Sequence, residues 1–478
     1  MASSPPIGLR WRSSSLFIIT TVAIGIFTDL FLYGIVVPIL PFILESRVHL
    51  PEYQIQPQVS NLLAAYAGAS VLFSPIAGWL ADLVSSRQMP FLVGLATLFG
   101  ATLLLSVGSS LPVLIVARVL QGTSGAVVWT VGLALLMDTV GAKNLGTVIG
   151  SIFSFVSVGT LFAPVLGGVL YDKAGDVGVF SLAGAVLIID FIMRVLVIEK
   201  KVAAKYSNDQ DDGNTGTEAD GGEENTPNTQ PDEESPLLND QDNDGADAKT
   251  FIIPSTVPSW LHAVPILYPL RNPRLLTALL IAFVQALLLG TFDATIPTEA
   301  ASLFHFTSLR SGLLFIGLDI PYIVLGPIAG RMVDRYGPKP AATFGYLFLV
   351  PVFVLLRLPH AGGTDQIALF VALIALCGAG SAVISSPSMV ESSFVVEAYY
   401  KANPDFFGEN GPYAQLYGLN SMVFSLGLTI GPLLSGGLRD RIGYGNMNAV
   451  LAGISLVTAV LAFVFVGGPP RLLRRFRR

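Results

Sequence analysis

A nine-residue phrase occurs twice in this chain of 478 residues. Ser74-Pro75-Ile76-Ala77-Gly78-Trp79-Leu80-Ala81-Asp82 returns 252 positions later as Gly326-Pro327-Ile328-Ala329-Gly330-Arg331-Met332-Val333-Asp334. Both copies end an apolar stretch and lead into a short basic loop. A repeat at half the chain length restricts the fold to two equivalent units. Their setting is apolar: mean hydropathy is +0.65 and only 13% of residues are charged, against about 25% in soluble domains. Two equivalent membrane halves with a site between them is a common design of secondary transporters.

Membrane helices need roughly 20 mostly apolar residues. Six such stretches fall at 16–44, 58–82, 90–107, 111–138, 144–171 and 177–198, and six at 273–303, 308–332, 339–359, 366–392, 411–438 and 444–467. The expected fold class is therefore an all-α membrane protein of twelve transmembrane helices in two six-helix halves. The first stretch is far longer than the roughly 7–15-residue core of a signal peptide, so it reads as a retained helix. The domains expected are a first half over 1–198, a linker over 199–272 and a second half over 273–478.

The net charge of −6 conceals two opposed parts. Residues 206–248 hold 14 acidic residues and no Lys or Arg, leaving 27 basic against 19 acidic elsewhere. The linker to residue 250 is too polar to offset ordering entropy and reads as disordered. Segment 251–270 is apolar but broken by prolines, and is expected at the membrane interface. Glu233-Glu234-Ser235-Pro236-Leu237-Leu238 has the form of an acidic dileucine signal, so Glu233, Leu237 and Leu238 are candidates for a sorting adaptor. Basic residues gather in alternate loops, among them Arg10, Arg12, Arg87, Lys143, Lys200, Lys201, Arg271, Arg331 and Arg335, and in the tail Arg471–Arg478. The positive-inside rule then puts both termini in the cytoplasm, at the plasma membrane or a vacuolar or vesicular membrane. Nucleic acid is not implied. The single Cys377 excludes an internal disulfide and a Cys-based metal cluster.

A second repeat tests the two halves. Gly159-Thr-Leu-Phe-Ala-Pro164-Val-Leu-Gly167-Gly168 resembles Gly427-Leu-Thr-Ile-Gly431-Pro432-Leu-Leu-Ser-Gly436-Gly437, with the prolines 268 apart. The offset exceeds the first by 16 residues, which fits an enlarged loop between helices 10 and 11 around Tyr399–Gly411.

The repeated phrase resembles the loop signature of the major facilitator superfamily, Gly-x-Leu-(Ala/Ser)-Asp-Arg-x-Gly-Arg-(Arg/Lys). Gly78, Asp82 and Arg87 match it in the first copy, and Gly330, Asp334 and Arg335 in the second. The first copy has Leu83 where the family has Arg. Asp at a helix C-terminus opposes the helix dipole and so calls for an outside partner. The resemblance implies a gating latch at the start of helix 11, weakened by Leu83. Arg118-Val-Leu-Gln121-Gly122 resembles the family's Arg-x-x-Gln-Gly motif, associated with proton coupling. Gly150-x8-Gly159-x3-Ala163-Pro164-x2-Gly167-Gly168 matches the family's antiporter motif apart from Ala163. Together these imply the drug:proton antiporter group.

Asp29 lies near the middle of helix 1, where Asp costs roughly 2.5–3.5 kcal/mol, so a cavity-facing coupling role is expected. Asp293 and Asp319 are further coupling candidates. Asp190 has Arg194 four residues on, a spacing for a local ion pair. Glu391 and Glu397 come late in helix 10, near water. Asp29-Leu-Phe-Leu-Tyr-Gly-Ile-Val-Val-Pro38-Ile-Leu-Pro41 resembles the vesicular amine transporter branch, in which the helix 1 Asp is linked to the substrate ammonium. Tyr66 stands where that branch has Lys, and Ser385 and Ser421 where it has acids. Tyr33, Tyr66, Gln121, Gln285, Tyr322 and Asn420 are expected to line a polar pocket. The resulting expectation is proton-coupled export of a small organic solute, with no cofactor and no metal. The alternatives are a nutrient symporter or a transporter-like receptor. No nucleophile–base pair points to an enzyme.

Overall fold

The computed structural model describes residues 6, 8–84, 86–204, 206, 251–254, 258, 260–306, 308–408 and 411–468. The acidic linker with Glu233, Leu237 and Leu238, and the tail from residue 469, lie outside them. The first six passes are α1 (Ser15–Ser46), α2 (Glu52–Leu83), α3 (Gln88–Val107), α4 (Leu111–Val140) and a run Leu145–Leu196 that makes two. The second six are α7 (Pro273–Phe304), α8 (Ser308–Tyr336), α9 (Pro338–Leu355), α10 (Thr364–Ala402), α11 (Tyr413–Ile442) and α12 (Tyr444–Phe465). No strand occurs among the described residues.

Eleven continuous runs are long and apolar enough to span a bilayer among the described residues, and one of them holds two passes. Leu145–Leu196 has 52 residues, far more than one span, and parts at Gly175 (φ 60°, ψ −154°). Only glycine adopts that backbone freely. The run therefore folds back as α5 (145–174) and α6 (176–196). Its start meets Asp334, its break region meets Arg47 through Asp176, and its end meets Arg12 through the Leu196 carbonyl. Residues 12, 196 and 468 share one end of the bundle with the repeated loops, hereafter the terminal end. Large apolar side chains such as Leu72, Val177, Ile188 and Leu433 are exposed, as lipid-facing surfaces require.

Local chemistry sets the helix ends. Ser14 Oγ accepts from the Phe17 N–H (3.3 Å) at the start of α1, and Asn272 Oδ1 accepts from the Arg274 N–H (3.0 Å) at the start of α7. Both satisfy first-turn donors that a helix cannot. Pro38 and Pro41 lack an N–H, and α1 passes through a 3₁₀ turn at Val37–Ile39. Pro387 breaks α10 in the same way, between Ile384 and Pro387.

The 16-residue surplus has a definite home. Val140 ends α4, and its counterpart 252 positions on is 392, where α10 was expected to stop; α10 continues ten residues farther, to Ala402. The connection 403–412 is six residues longer than the equivalent 141–144. The extra length forms a platform capped by a short helix, Pro404–Phe407.

The described residues of segment 251–270, expected at the membrane interface, pack partly on this platform. Leu261 and Ile266 are buried, and Phe251 and Tyr268 pack their rings on Tyr399. Ile252 remains 58% exposed.

Candidate functional site

The site begins on α1 with Asp29, which is 0% exposed. Its Oδ2 accepts from the Tyr66 hydroxyl (3.2 Å), and its Oδ1 has no partner. Glycine makes the space: a Cβ on Gly125 of α4 would stand 2.9 Å from Asp29 Oδ2. One turn earlier, Gly122 admits the Tyr66 backbone of α2 where a Cβ would collide. The Arg118-Gln121-Gly122-Gly125 pattern is thus a fitted face of α4.

From Asp29 the contacts continue without a gap. Tyr66 and Tyr33 pack with ring centroids 4.5 Å apart, and the Arg118 guanidinium lies 5.6 Å from the Tyr33 ring centre. Arg118 is 0% exposed; its Nη1 donates to Gln121 Oε1 (2.8 Å), while Nε and Nη2 have no partner. Five predicted residues of the first half therefore form one cluster. It contains a carboxylate oxygen and two guanidinium nitrogens that are unsatisfied. Buried ionic groups without partners are expensive, and such sites are where a proton, solute or water belongs.

The second half faces this cluster with different chemistry. Asp293 on α7 is exposed and within electrostatic range of Tyr33 and of Asp319 on α8. Tyr322 lies beside Asp319 and Ser385. Gln285 is buried in α7. Asn420 departs from its expected place in the pocket. It is 1% exposed, its Nδ2 donates to Ser392 Oγ (3.1 Å), and its Oδ1 accepts from Ser388 Oγ (3.4 Å). Its amide is taken up in tying α10 to α11.

Beneath the cluster the halves close on each other. Trp129 of α4 flanks Asp29 and stacks toward Phe424 of α11 at 6.4 Å. Ser70 and Ser425 approach to 3.2 Å, and Ser74 donates to Ser421 at 3.1 Å. At Gly78, Gly150, Gly330 and Gly418 a Cβ would collide with backbone of the opposite half. Those glycines let α2 meet α11, and α5 meet α8, almost backbone to backbone.

At the terminal end each repeated Asp caps a helix of the other half. Asp82 accepts from the Ala414 and Gln415 N–H groups (3.1 and 2.8 Å), the free donors in the first turn of α11. Asp334 accepts from the Gly146 and Thr147 N–H groups (both 2.7 Å) in the first turn of α5, and from the Thr147 hydroxyl. The dipole that each Asp opposes on its own helix is answered by the N-terminal dipole of another. Arg87 pairs with Asp82 (2.8 Å) and with Asp138 (3.4 Å), filling the role for which Leu83 is unfitted. Leu83 itself is 66% exposed. Arg335 is a correction in the opposite sense: it is exposed and lies over the Tyr336 ring at 5.4 Å rather than on Asp334.

The glycine and proline run from Gly150 to Gly168 is a packing face. Gly150 meets Gly326, Gly159 admits the Phe27 ring, and Gly167 admits the Ile35 carbonyl; Gly168 is open. Pro164 lies within the helix, one residue from the Ala163–Gly34 contact. Asp190 and Arg194 are fully buried as an i,i+4 pair at 2.6 Å, and Arg194 also donates to the Phe91 carbonyl. Glu391 does not reach water: it pairs with Arg274 (2.8 Å) and accepts from the Gly467 N–H (2.8 Å). Asp138 and Trp129 went unpredicted; neither belongs to a repeat, and their partners lie on other helices.

A family model described as Major Facilitator Superfamily matches residues 22–403 and 278–478. An MFS-type transporter, ppzB, of Metarhizium rileyi is 48% identical, with 98% of each chain covered. The vesicular acetylcholine transporter of Drosophila melanogaster is 22% identical, over 91% of this chain and 69% of its own. The crystal structure of the human organic anion transporter MFSD10 superposes with a TM-score of 0.64 at 16% identity, over 96% of this chain and 100% of that one. The chain belongs to the major facilitator superfamily. It is a multi-pass membrane transporter.

Proposed function

We propose that the protein is a proton-coupled antiporter that exports a small organic solute, a drug or secondary metabolite, by alternating access. In this reading it belongs to the drug:proton antiporter group, and its first helix resembles the vesicular amine transporter-like branch. The observation that carries this reading is the buried Asp29 carboxylate, one oxygen of which lacks a hydrogen-bond partner, linked through the Tyr66 and Tyr33 rings to the incompletely bonded Arg118. A carboxylate at this depth with neutral hydrogen-bond donors but no paired cation is neutralised either by a proton or by a cationic group of the solute. Exchange between the two is antiport. Asp293 and Asp319 face the cluster from the second half and add carboxylates to the solute's path. Tyr33, Tyr66, Gln121, Gln285 and Tyr322 supply aromatic and amide contacts to the solute.

Gly78, Asp82 and Arg87, with Gly330 and Asp334, gate the terminal end; Arg335 is spared from the latch. Gly150, Gly159, Pro164, Gly167 and Gly168 give α5 the close packing on which the rocking halves turn. With basic loops and both termini in the cytoplasm, the latched end faces inward and the site loads protons from outside or from an acidic lumen. The membrane is the plasma membrane or that of a vacuole or vesicle.

The test is reconstitution into vesicles with an imposed pH gradient and a panel of cationic, anionic and uncharged fluorescent solutes. Solute flux should follow the gradient, and Asp29→Asn should abolish the coupling. Flux indifferent to the gradient, or unchanged in Asp29→Asn, sinks the proposal.

A further inference from the structure

One buried charge pair has no part in the transport reading. Asp190 and Arg194 lie on α6, and both side chains are 0% exposed. Arg194 Nε and Nη2 donate to the two oxygens of Asp190 (2.8 and 2.6 Å), and Nη1 donates to the Phe91 carbonyl of α3 (2.6 Å). The guanidinium lies 3.9 Å over the centre of the Phe91 ring and reaches α1 beyond it. A Cβ on Gly25 would stand 3.0 Å from Arg194 Nη2. Gly25 comes one turn before Asp29, and residues four apart share a helix face. A glycine at 25 therefore lets the cation come against α1 one turn from the carboxylate.

Among the described residues, few groups act on Asp29. Tyr66 of α2 donates to it and Trp129 of α4 flanks it, both uncharged. The α5 contacts with α1, from Phe155 onto Phe27 and from Ala163 onto Gly34, bring no charge. Both charges in electrostatic range come from α6: Arg194 and, more weakly, Asp190. Arg118 acts on Tyr33 and Tyr66 instead. The second half supplies a control. Gly175 and Gly443 both have positive φ and are 268 positions apart, so α6 corresponds to α12. Asp190 and Arg194 then correspond to Thr458 and Ala462, both buried, and Thr458 Oγ1 donates to the Ile454 carbonyl of its own helix. A Cβ on Gly34 would meet Pro164, and one on Gly290 would meet Pro432, so Asp29 corresponds to Gln285. The sixth helix thus packs without an ion pair in the half whose first helix has no carboxylate there. A buried ion pair adds little net stability over well-packed neutral residues, so packing does not account for this one.

We infer that the Asp190–Arg194 pair is a positioning element for Asp29: its guanidinium end favours the ionised carboxylate and so sets how readily Asp29 gives up a proton. The inference rests on the reading of Asp29 as the coupling carboxylate. Asp190 holds the guanidinium in place and offsets part of its charge. All three nitrogens of Arg194 are already bonded, to Asp190 and to Phe91, so the cation acts on Asp29 through space and does not pair with it. Asp29 therefore still requires a proton or a solute cation, and the pair tunes the exchange between them.

The test reads Asp29 directly, in purified full-length protein in detergent, with neither solute nor gradient. Protonated Asp29 is followed by the infrared carbonyl stretch of its acid, each chain being compared with the same chain carrying Asp29→Asn. Asp190→Asn strips the counter-charge from Arg194, so the band should vanish at a pH lower than in the parent by about one unit. The neutral double variant Asp190→Asn with Arg194→Gln orphans no charge, so it should fold as the parent does and hold the band to higher pH. A pair that serves only to pack α6 would move neither midpoint. Coincident midpoints, shifts in the same direction, or the lack of any titrating band overturn the inference. Failure of gradient-driven flux with both shifts intact would sink antiport alone, and flux without the shifts would sink the role of the pair alone.

Discussion

The two repeated aspartates perform the same task with different support. Asp82 and Asp334 each accept the second and third N–H groups of a helix in the opposite half. Around Asp82 the support is ionic: Arg87, itself 2% exposed, bridges Asp82 and Asp138. Around Asp334 the support is a hydroxyl, that of Thr147, while Arg335 turns outward. The copy that lacks the family's Arg after Asp has a buried cation, and the copy that keeps the Arg does not use it. A motif position therefore does not fix an interaction. What matters is whether a guanidinium can reach the carboxylate from wherever the chain next turns inward.

The comparison can be broken most sharply at Asp82. Asp82→Asn leaves the buried Arg87 with the longer Asp138 contact and the Ala81 carbonyl (2.8 Å), and stripping one partner from a buried pair costs roughly 3–5 kcal/mol. Asp334→Asn abandons no buried cation. Thermal unfolding in detergent should show the larger loss for Asp82→Asn; equal losses would mean that Arg87 contributes nothing special. Next in size is Arg87→Ala, expected to cost about 1.5–3 kcal/mol, the worth of hydrogen bonds to a charged group, in the same unfolding measurement.

Thr147→Val is the corresponding test of the hydroxyl. It should weaken the Asp334 latch by about 1.5 kcal/mol while leaving both N–H contacts. The readout is faster labelling of a Ser154→Cys thiol in the α5–α8 seam, with little change in melting temperature. The smallest effect belongs to Arg335→Ala, within about 0.5 kcal/mol as for an exposed side chain free of special contacts. A large destabilisation by Arg335→Ala would show that this residue joins the latch after all.

Much of this was legible in the chain. Hydropathy gave the passes, and the weak stretch between residues 171 and 177 brackets the turn at Gly175. The repeats paired α2 with α8 and α5 with α11. The Asp29, Arg118 and Gln121 cluster was visible because charges and amides in apolar helices have few reasons to be there. The end of α10 lies ten residues beyond its expected place, since the polar run Glu391, Ser392 and Ser393 reads as a helix leaving the membrane. All three are buried instead, with Ser393 sharing a 2.7 Å hydrogen bond with Tyr417. Asn420 departs from expectation for a related reason: an amide beside a cavity and an amide between two helices look alike in sequence.

By itself the sequence determined what is periodic and local: the number of passes, the equivalence of the halves, the broken helices and the small residues at crossing points. These follow from apolar length, the missing donor of proline and the missing Cβ of glycine, each a property of the residue and its near neighbours. Only the tertiary structure decided partners. Arg87 rather than Arg335 serves an aspartate, Asn403 grips Phe251 and Ile253, and Trp129 meets Phe424. Those pairings depend on how helices distant in sequence converge, and a side chain reaches only a few ångströms from wherever its helix has been packed.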